Sequence, residues 1–414
     1  MLKAGFARVD ITPPRDVSLC GYEFRQERLA AGNDGVLDPL FARALVLDDG
    51  TRPAALVALD VAIVPTALAR RMRRAAAEAI GSAPDRVIIA CTHTHSGPIL
   101  EPSAAAPRGA KKTPGVFSPK GPKGAAQKRL RESFSPSPET RYTAALLEQV
   151  REAAARAGGL VYPVRPALRE APLGIGYVRR VPTPDGLRHC WNPQEQADLQ
   201  VHPSPDPTCT VLVLDQQGGP RRYVLWGVGA HGVVLGKTSR LVSADWAGRA
   251  CAVVEEGLPG ARAMFLHGAS GDVHPWIATQ EEPAGVEIVG RAAGAMVALL
   301  VQATRPGPDE LRTAARTVRI GKAELDLAAW RLGGVWIAAA PVELFSELGL
   351  ALRRRLGGPV ILATTANGWT GYWPTAEAFV QGKYEVENAR RLGRRPEDGL
   401  RLVEKVAALA ETIR

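Results

Sequence analysis

The sequence predicts an α/β fold in which mixed central β-sheets are flanked by helices. Two observations lead to this fold class. Short aliphatic runs bounded by Gly, Pro or Asp alternate with helical patterns almost throughout the 414 residues, an alternation typical of buried sheets covered by helices. Neither an internal repeat nor a linker divides the chain. We therefore expect a single domain spanning residues 1–414, with one loop insertion at about 101–138.

The predicted elements follow one another as strands with intervening helices. The N-terminal stretch MLKAGFARVDITPP lacks an apolar core before a small-residue cleavage site, so it predicts a first strand rather than a signal peptide. Further strands are predicted at 42–49, 54–60, 86–92, 208–215, 221–231, 262–268, 333–340 and 359–365. Helices are predicted in PTALARRMRRAAAEAIG, between the second and third of these strands, and at 139–157, 244–257, 285–302, 343–356 and 396–412.

The composition limits the classes of function that the protein could have. No window holds eighteen uninterrupted apolar residues, so we expect no integral membrane segment. Because the N-terminal stretch predicts a strand rather than a signal peptide, we expect a cytoplasmic location. The five cysteines are scattered without a CxxC pair, which indicates reduced thiols and gives no support to a cysteine-based zinc site. The net charge of +10 comes mostly from dispersed arginines. Lysines cluster only at 107–131, without interleaved stacking aromatics, so we expect no nucleic-acid partner.

The insertion at about 101–138 is rich in Pro, Gly, Ala, Ser and Lys and shows no periodicity. A loop of this length inside a compact domain is either functional or disordered. It begins three residues after Pro98, next to the motif described below. A solvated insertion and a lid or docking segment both remain open.

Two histidines, His93 and His95, follow the aliphatic run RVIIAC in the motif THTHSGP. Because side chains alternate across a strand, we expect both to project from the same face into one pocket. A pair of hydrogen-bonded polar residues closing a strand would give the same pattern. A metal site therefore requires further ligands elsewhere in the chain.

Further candidate ligands also follow apolar runs. His231 ends LWGVGAH, Glu343 lies three residues beyond the predicted strand 333–340, and FLHGASGDVHP places His267 and His274 around a Gly-rich turn. Ligands collect at the carboxyl ends of strands in open α/β sheets. Neutral imidazoles with one carboxylate suit Zn²⁺, and an open coordination position suits catalysis. The sequence therefore predicts a zinc site at the strand ends.

With these motifs in place, the sequence resembles the neutral, non-lysosomal ceramidases, as a short bacterial member without their C-terminal immunoglobulin-like domain. The matching segments span nearly the whole chain and occur in the same order. They are FARVDITPP (6–14), Gly21-Tyr22, GVLDPLFARALVL (35–47), CTHTHSGP (91–98), GAHG (229–232), SADWAG (243–248), GASGDVHP (268–275), PVE (341–343) and GYWPTAEAFVQGKYE (371–385).

The resemblance implies a zinc-dependent amidohydrolase that cleaves an amide (N-acyl) bond with a metal-activated water. Carried over residue by residue, it implies His93, His231, Glu343 and Tyr372 as metal ligands. Tyr372 is chosen because the downstream family pattern then registers on GYWPTAEAFVQGKYE. The second histidine of THTH, His95, would face the substrate and stabilise the developing oxyanion.

The resemblance also implies a substrate-binding arginine, which corresponds to Arg179 of GYVRR, although Val178 stands where the family has Asn. A serine of the ceramidases, in GDVSPN, is replaced by His274. His274 could act as general acid or base, bind a substrate carboxylate or serve as an additional ligand. Asp272 and Asp245 are candidates to orient the histidines, and Asp245 equally suits the N-cap of the following helix.

The histidine at position 274 argues against ceramide itself and favours a soluble small-molecule N-acyl substrate. Two alternatives stay open. An ester hydrolase or acyl transferase could use the same metal site, and a non-catalytic homologue could bind the metal with His274 in the open position. The sequence does not determine the substrate, the preference for amide or ester, or the oligomeric state.

Overall fold

In the computed structural model, which describes residues 1–101 and 136–414, two β-sheets pack face to face and helices cover both outer faces. This arrangement confirms the predicted α/β class with mixed sheets. The insertion expected at about 101–138 lies outside the described residues except for its ends.

The elements of the described residues are numbered in chain order. The strands are β1 (Lys3–Asp10), β2 (Gly35–Val36), β3 (Phe41–Asp48), β4 (Ala54–Leu59), β5 (Val87–Cys91), β6 (Tyr162–Pro172), β7 (Gly176–Val178), β8 (Arg180–Thr183), β9 (Gly186–His189), β10 (His202–Pro203), β11 (Thr208–Gln216), β12 (Arg222–Val228), β13 (Leu241–Val242), β14 (Ala261–His267), β15 (Val273–Pro275), β16 (Arg305–Pro306), β17 (Leu311–Ile320), β18 (Ala323–Leu332), β19 (Val335–Ala339), β20 (Glu343–Leu344), β21 (Val360–Ala363) and β22 (Tyr372–Trp373). The helices are α1 (Glu23–Arg28), α2 (Thr66–Ala79), α3 (Pro138–Gly158), α4 (Asp245–Gly257), α5 (Ala284–Gln302), α6 (Ser346–Leu356), α7 (Ala376–Gln381), α8 (Tyr384–Arg391) and α9 (Asp398–Glu411).

Three strand–helix–strand units supply the parallel pairs of the two sheets. The larger sheet has the order β14-β12-β11-β6-β1-β3-β4-β5, with β16 also paired to β6, and the smaller has the order β17-β18-β19-β21. The parallel pairs are β4 with β5, β12 with β14 and β19 with β21. In each pair one helix, α2, α4 or α6, joins the two strands. The remaining pairings within both sheets are antiparallel.

The space between the sheets forms one apolar core, to which Leu56 and Leu225 contribute from the larger sheet and Trp330 and Ile337 from the smaller. On the outside, α2 and α3 cover one half of the larger sheet and α4 and α5 the other half, while α6 and α9 cover the smaller sheet. Strands such as β4, in which every residue is buried, are covered on both faces. This explains why they consist of continuous aliphatic runs rather than alternating ones.

Helix α5 is the one helix in the described ranges that is long and apolar enough to cross a membrane, judged by length and composition alone. Half of its most apolar stretch is buried inside the protein. Helices packed in the core of a globular protein share these properties, so this observation adds little support for a membrane segment.

Candidate metal centre

The chain turns sharply after β5, and this turn carries the two histidines of THTHSGP. His93 has a φ of 63°, a left-handed conformation that is uncommon for residues other than glycine. Its N–H donates to the carbonyl oxygen of Val61 at 3.1 Å. The ring centroids of His93 and His95 lie 4.9 Å apart at nearly a right angle. The two histidines share a pocket as predicted, but they belong to a turn and not to a continuing strand.

Two imidazoles and one carboxylate converge from the three strand–helix–strand units. Nδ1 of His93 donates to the carbonyl oxygen of Ala62 at 2.7 Å, and Nδ1 of His231 donates to that of Val273 at 3.1 Å. Each ring therefore turns the lone pair of its Nε2 atom inward. Both Nε2 atoms lie 3.4 Å from Oε2 of Glu343.

The converging atoms include two without a hydrogen-bond partner among the described residues, Nε2 of His231 and Oε2 of Glu343. Both side chains are buried. Burial would raise the pKa of Glu343, but His231 and His93 lower it well below its usual range. Burial also lowers the pKa of His231 to about 4. An ionised carboxylate and neutral imidazoles are the forms that bind metals, so this donor set fits Zn²⁺.

The second carboxylate oxygen of Glu343 is held by Trp369, a residue that no sequence motif indicated. Nε1 of Trp369 donates to Oε1 of Glu343 at 2.7 Å. The backbone of Glu343 pairs with Tyr372 in the short β20–β22 ladder. Hydrogen bonding to Oε1 leaves Oε2 as the oxygen that faces the two histidines.

Arg179 lies behind Tyr372 and is almost completely buried. Its Nη2 donates to the Tyr372 hydroxyl at 3.4 Å and to the carbonyl oxygen of Gly271 at 2.8 Å. Its Nε donates to Oε1 of Glu385 at 2.8 Å, and its Nη1 lies 2.7 Å from Nε2 of His274. The structure thus surrounds the predicted substrate-binding arginine with protein acceptors.

His274 is held in one tautomer by these contacts. A guanidinium can only donate, so Nε2 of His274 accepts from Arg179, and Nδ1 faces the carbonyl oxygen of Trp191 at 3.3 Å. Burial and the charge of Arg179 keep the pKa of His274 well below its usual value. His274 is therefore a neutral imidazole whose Nε2 lone pair accepts a hydrogen bond from Arg179.

The two aspartates predicted to orient the histidines contact other groups. Asp272 accepts from the N–H of Ser346 at 2.7 Å and from its hydroxyl at 3.0 Å. Asp245 accepts from the N–H groups of Val234 and Leu235, at 3.2 and 3.1 Å. Burial raises the pKa of each carboxyl to about 6. The aspartates hold the segments that follow Glu343 and His231, and no hydrogen bond joins them to a histidine within the described ranges.

His95 is surrounded by a cradle of three residues, Gly21 and Tyr22 just before α1 and Arg25 within it. The ring of Tyr22 meets the His95 ring edge-on at 5.1 Å between centroids. The buried guanidinium of Arg25 donates to the carbonyl oxygens of His95 and Cys20. A Cβ atom on Gly21 would lie 2.6 Å from Cβ and Cγ of His95. Only glycine allows the backbone to approach the imidazole this closely.

Nε2 of His95 lies 3.5 Å from Nε2 of His93, and its Nδ1 has no hydrogen-bond partner within the described part of the chain. One ring nitrogen from each of His93, His95 and His231 lies within 4.8 Å of the others. Two overlapping sets of candidate ligands are therefore present. One contains His93, His231 and Glu343, and the other contains His93, His95 and His231. In the set with Glu343, both imidazole nitrogens lie 3.4 Å from the carboxylate oxygen, and only this set of the two includes a carboxylate.

His267, at the end of β14 before the Gly-rich turn, lies next to His93. Its ring centroid is 4.8 Å from that of His93. Nε2 of His267 is 2.7 Å from the hydroxyl of Ser270, and both residues are buried. Its contacts tie the turn after β14 to the group of His93, His231 and Glu343.

An aromatic rim borders the site on the side of Arg179. Trp191 stacks on His189 with the rings 4.8 Å apart and almost parallel, and Tyr384 meets Trp191 edge-on. Trp191 and Tyr384 are among the exposed large apolar side chains of the molecule. His189 in turn binds Oε2 of Glu385 at 2.8 Å, which links the rim to the buried arginine.

The structure brings together His93, His95, His231 and Glu343 as the sequence predicts, and connects Tyr372, Arg179 and His274 by hydrogen bonds beside them. Sequence reasoning missed the roles of Trp369, Arg25, Trp191 and His189. Their contacts join segments that are distant in the chain, and none of these residues belongs to a spacing pattern that would have identified it.

Comparison with known proteins identifies neighbours in structure only. No family model matches the chain, and no curated protein matches it. Among solved structures, a neutral ceramidase from Pseudomonas aeruginosa superposes with a TM-score of 0.72 at 17% identity, over 100% of this chain and 75% of the neighbour. A ceramidase complexed with C2 gives a TM-score of 0.72 at 16% identity, over 100% and 76%. The fold supports the resemblance that the motifs suggested.

Proposed function

We propose that the chain is a member of the neutral ceramidase family and a zinc-dependent hydrolase that cleaves an amide bond in an N-acyl substrate. The observation that carries the proposal is the convergence of His93, His231 and Glu343. The Nε2 atoms of the two histidines each lie 3.4 Å from Oε2 of Glu343, and two of these three donor atoms, from three separate strand ends, have no hydrogen-bond partner among the described residues.

We assign His93, His231 and Glu343 as the residues that hold the ion, with the hydroxyl of Tyr372 as the fourth donor. When bound, a zinc ion supplies Lewis-acid polarisation and makes hydroxide available near neutral pH. The backbone carbonyls that accept from Nδ1 of both histidines fix the rings before the ion binds. Such outer contacts raise the basicity of a ligand and preserve its orientation.

We assign His95 as the donor to the oxyanion that develops on the scissile carbonyl. It lies beside His93, and burial lowers its pKa well below the usual value, so it is a neutral imidazole with one N–H to donate. Donors that are already in place when charge develops are the most effective ones. The cradle of Gly21, Tyr22 and Arg25 provides this fixed position.

His274, a predicted acid, base or ligand, and Asp272, predicted to orient the histidines, receive positioning roles in this proposal. His274 accepts from Arg179, which in turn donates to the hydroxyl of Tyr372, so the pair would orient the phenol. Asp272 holds the start of α6 close behind Glu343. Neither group has an arrangement that favours giving a proton to the leaving amine.

For the substrate, we propose a small N-acyl compound that enters across the rim of Trp191 and Tyr384. His274, at the position of the family serine, lies beside Trp191, with the ring centroids 5.6 Å apart, and we propose that the two rings narrow this side of the site. This favours an amine portion smaller than that of ceramide. We further propose a cytoplasmic location, in keeping with a soluble substrate.

Two other functions compete on the same site. Hydrolysis or transfer of an ester would use the same residues in the same way. A non-catalytic role is favoured by one observation, the presence of a His95 ring nitrogen within 4.8 Å of those of His93 and His231. If His95 were a ligand, it would occupy the position at which a substrate must react.

The first test is metal analysis of the purified protein by mass spectrometry, in the wild type and in His93→Ala. We expect about one zinc per chain in the wild type and a near-complete loss in the variant. His202→Ala is the matched control, because His202 is an exposed histidine on β10. A folded wild type that neither contains nor binds zinc would refute the proposal.

The second test is a panel of matched N-acyl amides and esters that differ in acyl length and amine size. We expect amide turnover that disappears on chelation and returns with zinc. Faster turnover of every ester would favour the ester-hydrolase alternative. A zinc-loaded protein that turns over no member of the panel would favour the non-catalytic one.

A further inference from the structure

A cavity of about 260 Å³ opens on the outer face of the smaller sheet, where the two helices that cover this face come to an end. The sheet contributes Arg312, Arg331 and Trp336 to its lining, and the segments at the ends of α6 and α9 contribute Leu356, Gly357 and Arg414. Trp336 stands near the start of β19, whereas Glu343 follows the end of that strand. The cavity therefore lies at the opposite end of β19 from the proposed metal centre.

Three neighbouring strands present a row of side chains to this cavity. Arg312 of β17 lies directly opposite Arg331 of β18, and Arg331 lies directly opposite Trp336 of β19. Residues paired in this way project from the same face of a sheet. The β18–β19 hairpin turns at Gly333 and Gly334, whose φ angles of 56° and 84° are typical of a tight type I′ turn. A short hairpin thus holds Arg331 and Trp336 side by side.

The guanidinium of Arg331 is packed on one side but incompletely hydrogen-bonded. Its Cζ lies 4.9 Å from the centroid of the Trp336 ring. Its Nε lies 3.3 Å from Oε1 of Glu310, the one acidic side chain among the described residues that line the cavity. Its Nη1 is buried and has no hydrogen-bond partner in the described part of the chain. Leaving a buried, charged donor unpaired is costly, so we expect an acceptor to bind there.

The two arginines of the row are like charges directly opposite each other, an arrangement that destabilises a sheet. Glu310 relieves the repulsion only in part. Its carboxylate lies 3.3 Å from Arg331 and 3.8 Å from Arg312, beyond the about 2.7–2.9 Å of a charge-assisted hydrogen bond. Arg312 also donates from Nη1 to the main-chain oxygen of Arg414 at 2.7 Å. The side chain of Arg414 is paired with Glu411, so it forms a wall of the cavity.

We propose that this cavity binds a small organic molecule with one oxyanion group, a phosphate or a carboxylate, anchored by Arg331 and Arg312. The forked donors of a guanidinium match the oxygens of both groups. Trp336 and Leu356 provide apolar walls for the organic part, since small-molecule sites combine a mostly apolar lining with a few polar anchors. The volume of about 260 Å³ far exceeds the roughly 10–15 Å³ that one water molecule needs, so it accommodates more than a bare ion.

Isothermal titration calorimetry of the purified full chain with phenyl phosphate and with benzoate tests the proposal. We expect a dissociation constant below about 1 mM for at least one of them, and the tighter of the two identifies the group as phosphate or carboxylate. Inorganic phosphate and acetate lack the ring and should bind at least about tenfold more weakly. If neither phenyl phosphate nor benzoate binds, the proposal is overturned. Equal affinity for the bare ions would overturn the assignment of an organic ligand.

Substitution of the anchors tests the location. We expect Arg331→Gln and Arg312→Gln each to weaken binding at least about tenfold. Arg312 is half exposed (51%), so its variant keeps the test valid if Arg331→Gln fails to fold, which circular dichroism reveals. The matched control is Arg319→Gln, because Arg319 is exposed (75%) on β17 and projects from the opposite face of the strand. Equal affinities in the control and in the anchor variants would refute the assigned anchors.

A bound zinc ion could itself attract an oxyanion, so the titrations are repeated with His93→Ala. We expect the affinity to be unchanged there, because His93 does not line the cavity. Loss of binding in His93→Ala, with binding retained in Arg331→Gln, would assign the anion to the proposed metal centre and overturn the cavity as its site. Neither anchor belongs to that centre, so failure of the zinc proposal would leave the expected binding unchanged.

Discussion

The indole Nε1 of Trp369 donates a 2.7 Å hydrogen bond to Oε1 of Glu343, while Oε2 of the same carboxylate lies 3.4 Å from Nε2 of both His93 and His231. The two oxygens of Glu343 therefore have different surroundings. One is fixed by a neutral donor, and the other is directed at the imidazoles. In the proposed metal site, this asymmetry would favour binding of the ion through a single oxygen. The Trp369 hydrogen bond also links the strand end at Glu343 to the loop before β22.

Trp369→Phe should weaken zinc binding, because it removes the N–H donor and keeps an aromatic side chain. Loss of an outer hydrogen bond to a ligand typically costs 10- to 100-fold in metal affinity, and we expect a decrease in that range. Competition with a chromophoric chelator measures it. Trp276→Phe is the control, since its indole donates to the carbonyl oxygen of Gly174 and not to a proposed ligand. Equal zinc affinity in the two variants would contradict the assigned role of Trp369.

His95→Gln should lower kcat and leave the zinc content unchanged. If His95 stabilises the oxyanion, losing the imidazole donor costs about 10²- to 10³-fold in rate. Steady-state kinetics on the best N-acyl substrate, with zinc measured on the same sample, gives both quantities. A large loss of zinc affinity would instead identify His95 as a ligand and support the non-catalytic alternative. His202→Gln should change neither quantity.

Glu385→Gln should destabilise the protein at neutral pH. Glu385 is buried between Arg179 and Arg180, at 2.8 and 2.7 Å, so the variant leaves buried guanidinium charge uncompensated. Removing one partner of such a pair costs about 3–5 kcal/mol in the free energy of unfolding. Urea denaturation at pH 7 measures the difference between the two proteins.

The same pair of proteins should show a defined pH dependence. Burial would raise the pKa of Glu385, but Arg179, His189 and Arg180 lower it far below its usual value. The stabilisation is therefore complete above the unfolded-state pKa of about 4.3 and is lost as the pH falls below it. The difference in unfolding free energy should shrink between pH 5 and pH 3. A difference that grows as the pH falls would contradict this assignment.

The sequence predicts much of this fold because burial leaves a local signature. Strands β4 and β5 are buried on both faces and appear as uninterrupted apolar runs. Strand β17 escaped prediction because it lies at the edge of the smaller sheet, and its sequence LRTAARTVRI is mostly half-exposed or exposed. An edge strand carries arginines and threonines without the pattern on which the prediction depends.

Part of the candidate site was also predictable, because its residues follow buried strands that can be recognised in the sequence. His93, His231 and Glu343 each follow a buried run, and the carboxyl ends of such strands meet. Trp369 and Arg25 were not predictable, since each acts through a hydrogen bond to a segment far away in the chain. Asp272 lies near the expected place, but its carboxylate binds Ser346, which only the packing of α6 determines.

Gly21→Ala should reduce kcat through displacement of His95. Gly21 has a φ of 105°, and a Cβ atom there would lie 2.6 Å from the ring of His95, so the imidazole and the added methyl group cannot both keep their positions. Gly50→Ala is the matched control, because Gly50 has a φ of 90° with nothing within 4 Å of the added atom. Both variants bear the backbone strain of a positive φ, about 1–3 kcal/mol, and Gly21→Ala adds the clash with His95, so its melting temperature should fall further than that of Gly50→Ala. Only Gly21→Ala should lose turnover by tenfold or more while retaining zinc, and equal activity in the two variants would show that the approach of Gly21 to His95 does not control the position of the imidazole.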